Sequence, residues 1–97
     1  MEYKLLFSEA ALAGLDGIIE LIGEDNAQDC RAIRKLLIET GGLLDSFPRI
    51  GDPVHRRTGE RKLPQTPIRI YYRVHEEQKV VEVIQLRHGA RRSPRLR

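Results

Sequence analysis

Ninety-seven residues with 40% hydrophobic and 32% charged side chains make one domain with a sizeable but not generous core. No run approaches the roughly 18 apolar residues of a membrane helix. Glu2, Lys4 and Glu9 among short apolar pieces do not follow the plan of a signal peptide, so a cytoplasmic protein without a membrane partner is expected. The net charge of +3 hides an asymmetry: residues 1–47 carry four basic and nine acidic side chains, whereas residues 48–97 carry thirteen basic and five acidic. Basic character of that kind fits a surface for a polyanion or an acidic protein segment, or simply a solvated face.

Tyr3-Lys4-Leu5-Leu6-Phe7 is short, apolar and aromatic, and predicts a first strand. Ser8 is placed as a helix N-cap with Glu9 at the positive end of the dipole. Ala11, Leu12, Leu15, Ile18, Ile19 and Ile22 then recur at three- and four-residue spacings, an amphipathic helix. Gly14 and Gly17 weaken it and leave room for a second element to approach.

Gly23 ends this helix, and Asp25 with Gln28 resembles a capping box that opens a second one. Ala27, Cys30, Ile33, Leu37 and Leu44 mark its apolar stripe, with Arg31, Arg34, Lys35 and Glu39 on the wet side. Cys30 has no partner for an intramolecular disulfide and reads as core filler. The Gly41-Gly42 pair predicts fraying or a bend before an end near Asp45-Ser46. So short a connection predicts an antiparallel helical hairpin.

Pro48, Gly51-Asp52 and Pro53 forbid a helix. The segment to Gly59 reads as a basic loop with Arg49, His55, Arg56 and Arg57, followed by a short strand from Glu60 to Leu63 that Pro64 stops. From Pro67 the pattern is that of a hairpin. Ile68, Ile70, Tyr72 and Val74 share one parity and Arg69, Tyr71 and Arg73 the other, the alternation of a strand with one buried face. His75 to Lys79 is a polar turn, and Val80 to Leu86 is β-branched but less cleanly alternating, as expected of a central strand. Gly89 then breaks the pattern, leaving Arg87, His88, Arg91 and Arg92 close together. The order β-α-α-β-β-β predicts an α+β fold, an antiparallel sheet with the helical hairpin on one face and the other face open. Residues 1–92 read as one domain and 93–97 as a loose basic tail.

Phe47-Pro48-Arg49-Ile50-Gly51, the basic loop, Leu63-Pro64, the Ile68–Val74 run and Leu86-Arg87-His88-Gly89-Ala90-Arg91 together resemble toxins of the RelE/ParE superfamily of bacterial type II toxin–antitoxin modules. The resemblance covers nearly the whole chain and implies the α+β fold already derived. It also implies growth arrest that a cognate antitoxin reverses, a toxin–antitoxin hetero-oligomer, and a plasmid-stabilisation role. RelE-like members are ribosome-dependent ribonucleases that cut mRNA; ParE-like members poison DNA gyrase, which is not enzymatic work.

Metal-free RNA cleavage needs a base for the ribose 2′-hydroxyl, cations for the transition state and an acid for the leaving oxygen. On the ribonuclease reading the resemblance assigns Arg69 and Arg91 (or Arg92) as the cations, and His88 suits acid–base work near neutrality. The tyrosine that RelE-like enzymes carry after the last arginine is missing, since the chain reads Ser93-Pro94-Arg95-Leu96-Arg97. The loop offers arginines, which stay protonated, where those enzymes carry lysines. The favoured reading is therefore the ParE-like branch, with Arg69, Arg73, Arg87, Arg91 and Arg92 as partner-binding residues. A ribonuclease and a diverged, inactive antitoxin binder are the alternatives. No cofactor is expected, and His55, His75 and His88 lack metal-ligand spacing. A plain nucleic-acid module is disfavoured: of five aromatic residues most are needed for packing, which leaves no base-stacking platform.

Overall fold

The computed structural model describes residues 3–23, 26–55, 57–65 and 68–88. Within them lie β1 (Lys4–Phe7), α1 (Glu9–Ile22), α2 (Ala27–Ser46), β2 (Asp52–His55), β3 (Glu60–Gln65), β4 (Ile68–His75) and β5 (Val80–His88). One five-stranded sheet has the order β1-β5-β4-β3-β2, and both helices pack on the same face. The α+β class and helical layer agree with the reading of the sequence. Two features differ. The sheet is mixed, because β1 runs parallel to β5, and a strand that the sequence disguises as loop, β2, forms its far edge.

Ser8 performs the capping its position predicts. Its hydroxyl accepts from the Ala11 N–H at 3.0 Å and donates to the Ile84 carbonyl at 2.9 Å, so one side chain both starts α1 and ties it to β5. Ser8→Ala is expected to cost about 1–2 kcal/mol, read as a lower denaturation midpoint. The second cap differs from expectation: Asn26 is the N-cap of α2 and makes no side-chain cap bond, while Asp25 lies outside the described residues. The helix also continues unbroken through Gly41-Gly42. In α2 the buried residues are Ile33, Thr40 and Leu44, with Ala27 exposed. Thr40 is tolerated there because its hydroxyl bonds the Leu36 carbonyl at 2.8 Å. In α1, Ala11 and Ile18 are buried, but Leu12 is exposed.

The core lies between the helices and the inner face of β1, β5, β4 and β3, around Leu44, Ile68, Ile70, Tyr72, Val81 and Val83. β4 keeps the alternation of its sequence: Ile68, Ile70 and Tyr72 are buried. Pro64 does not stop β3, because β2 pairs only with residues 60–62 and, among the described residues, no strand flanks the proline on that side. β5 is central, with β1 and β4 as neighbours, and its uneven alternation has a cause. Tyr71 pairs with Gln85 but Tyr72 pairs with Val83, so Ile84 is an extra residue, a β-bulge. Val81 and Val83 point inward before it and Leu86 after it, a change of parity in mid-strand.

Candidate partner-binding surface

That change of parity decides what the outer face of the sheet displays. Arg69 is the cross-strand partner of Arg87, and Ile68 is the partner of His88. Ile68 is buried against the helices while Arg69 and Arg87 are exposed, so Arg69 and Arg87 stand side by side on the outer face and His88 belongs to the inner one. Had the Val81/Val83 parity continued, His88 would have shared the face of Arg69 and Arg87 would have pointed inward.

The His88 ring is half-buried, and its Nδ1 is fully covered without a hydrogen-bond partner among the described residues. Of the three residues of the ribonuclease reading, Arg69 and His88 thus emerge on opposite faces. Arg91, like Arg92 and the 93–97 tail, lies outside the described residues.

Of the other arginines named from sequence, Arg73 is only half-exposed. It is flanked in register by Glu60 on β3 and Glu82 on β5, and its Nε is buried without a partner among the described residues. It contributes less open charge than its place in the alternation implies. Arg87 lies with its guanidinium carbon 5.9 Å from the centre of the Tyr71 ring, a cation–π contact on the same face. Tyr71 is therefore outward and Tyr72 inward. Arg49, from the segment read as a basic loop, forms an ion pair with Glu76 in the β4–β5 turn. Among the described residues neither Arg69 nor Arg87 has a carboxylate partner.

The sequence reading missed the other end of this face. His75 follows the parity of Arg69, Tyr71 and Arg73, and its Nε2 lies 2.9 Å from Glu82 Oε1. Beside this pair a groove of about 480 Å³ is lined by Leu6, Phe7, Ser8, His75, Gln78, Val80 and Glu82. Leu6 is 48% exposed. The signal was present in the alternation of β4, but the pairing of Leu6 with Glu82 joins positions far apart in the chain.

A model of the ParE toxin of type II toxin–antitoxin systems, parDE, matches residues 5–93. Comparison with curated proteins finds no match. Among solved structures, the chain is similar to the chromosomal ParDE toxin–antitoxin system from P. aeruginosa, with a TM-score of 0.69 and 19% identity over 90% of this chain and 96% of that one. It is also similar to the RelBE2 toxin–antitoxin complex from Mycobacterium tuberculosis, with a TM-score of 0.67 and 22% identity over 91% of this chain and 99% of that one. The intact E. coli RelBE toxin–antitoxin complex gives a TM-score of 0.58 and 26% identity over 93% and 99%. The family model spans both helices and, from Leu5 onward, every strand, and the chain belongs to the ParE toxin family of type II toxin–antitoxin systems.

Proposed function

We propose that this chain arrests growth by protein–protein contact with DNA gyrase, in the manner the ParE-like branch implies, and that a cognate acidic antitoxin neutralises it. The observation that carries the reading is the separation of Arg69 from His88 across the sheet. Acid–base catalysis requires the proton-transfer group within hydrogen-bond reach of the reacting atoms, and a phosphate held at Arg69 is shielded from His88 by the sheet itself. An antitoxin partner is supported by the paired guanidinium groups of Arg69 and Arg87, which have no carboxylate partner among the described residues, and by the toxin–antitoxin complexes among the similar structures.

The ribonuclease reading keeps one observation in its favour. Two exposed arginines on adjacent strands are the cations that an RNA transition state would use, and the E. coli RelBE likeness is the highest in identity of the three. Two assays on the purified toxin separate the readings. The expected result is inhibition of gyrase supercoiling with ribosome-bound mRNA left intact. Codon-linked mRNA cuts that disappear in Arg69→Ala or His88→Gln would instead establish the nuclease. Antitoxin binding with neither activity would identify a diverged binder.

A further inference from the structure

We infer that the outer face of the sheet is a two-point docking site for a single extended peptide segment, one that carries carboxylates at one end and an apolar side chain about six residues away. The inference rests on the antitoxin reading above and specifies the chemistry of the segment that binds.

The first point is Arg69 with Arg87. Like charges directly opposite across a strand pair are unfavourable to each other, and here no described carboxylate relieves them. An incoming pair of carboxylates removes that repulsion and matches the geometry of two guanidinium forks. The second point is the groove beside Leu6 and Val80 at the opposite end of the same strand pair. Arg69 and His75 are six residues apart on β4, a distance of about 20 Å at the usual strand rise. An extended peptide covers it in roughly six residues. Between the two points Arg73 and Lys62 are matched on the same face by Glu60 and Glu82, so the middle of the track carries little net charge.

The same arrangement favours a peptide over RNA. A nucleic acid repeats its negative charge at every residue, but the groove end offers it Glu82 and three apolar side chains, Leu6, Phe7 and Val80. The outer-face aromatic on β4, Tyr71, is within cation–π distance of Arg87 rather than open for base stacking. Acidic charge is wanted at one end only, and an apolar anchor at the other.

The test uses full-length toxin and the antitoxin polypeptide encoded beside it, titrated at low and high salt. Arg69→Glu/Arg87→Glu is expected to weaken binding by about 100-fold at low salt and clearly less at high salt. Leu6→Asp is expected to weaken it about tenfold at both. The denaturation midpoint of each variant is measured alongside, and an affinity loss counts where the variant keeps the wild-type midpoint. If one does not, amide-exchange protection on the wild-type complex decides, with protection expected at Leu6 and Val80 as well as at Arg69 and Arg87. Wild-type-like affinity in both variants, or protection confined to the helices, overturns the two-point site while leaving the antitoxin reading intact. Failure of the antitoxin to bind wild-type toxin overturns that reading, and the inference with it. A single-stranded RNA that protects both points in place of the antitoxin overturns the peptide assignment.

Discussion

Gly51→Ala is expected to lower the unfolding free energy by about 2–5 kcal/mol, a large part of the roughly 5–15 kcal/mol typical of a domain. Gly51 lies where the segment after α2 meets the sheet. Its N–H donates to the buried Tyr72 hydroxyl at 2.8 Å, and its carbonyl accepts from the Arg61 guanidinium at 2.7 Å. A Cβ there would sit 2.8 Å from the Lys62 carbonyl oxygen and 2.8 Å from the Tyr72 hydroxyl. Neither neighbour yields cheaply, since one is strand backbone and the other a fully buried ring. The loop must move out, and the hydrogen bond to Tyr72 goes with it. Tyr72→Phe isolates the second effect, leaving the Gly51 N–H without its acceptor at a cost of about 1–3 kcal/mol. Urea denaturation reads both, with Gly51→Ala the more damaging.

The same tyrosine carries a pH signature. Burial raises the Tyr72 pKa above the usual value near 10, outweighing the lowering by the Gly51 hydrogen bond and by Arg61. The folded protein therefore holds this proton more tightly than the unfolded chain. The contribution is complete below the unfolded pKa, and stability falls as pH rises from about 10 through the raised folded value. In Tyr72→Phe that part of the alkaline loss is expected to vanish from the midpoint-versus-pH curve.

The second large effect concerns two glycines three residues apart in α1. Gly14→Leu is expected to cost about 3 kcal/mol, whereas Gly17→Ala should stabilise by about 0.5–1 kcal/mol. A Cβ on Gly14 would approach the Leu86 carbonyl oxygen to 2.8 Å, because the helix rests there directly on the β5 backbone. A Cβ on Gly17 meets nothing within 4 Å, so alanine brings only the lower conformational entropy of its unfolded state. Thermal denaturation of the two variants should therefore shift in opposite directions. A destabilised Gly17→Ala, or a neutral Gly14→Leu, would show that α1 does not seat on β5 in this way.

The sequence announced that some element approaches α1 at a glycine, but not which glycine, since both fall within the same helical pattern. The candidate site was legible to a similar degree. The charge asymmetry and the parity of Arg69 pointed to a basic sheet face, and the missing C-terminal tyrosine weakened the nuclease reading. The apolar groove was not legible, because Leu6, Val80 and His75 converge only through the pairing of β1 with β5 and of β5 with β4.

By itself the amino-acid sequence determined the two helices, the Ser8 cap, the alternating face of β4 and the family resemblance, all of which rest on spacings of a few residues or on ordered local motifs. Only the tertiary structure decided the parallel placement of β1, the edge strand β2 and the bulge at Ile84. A side chain's face follows from local period two only while the register is unbroken, and a bulge is fixed by the neighbouring strand. One inserted residue therefore set Arg87 beside Arg69 and turned His88 to the other side of the sheet.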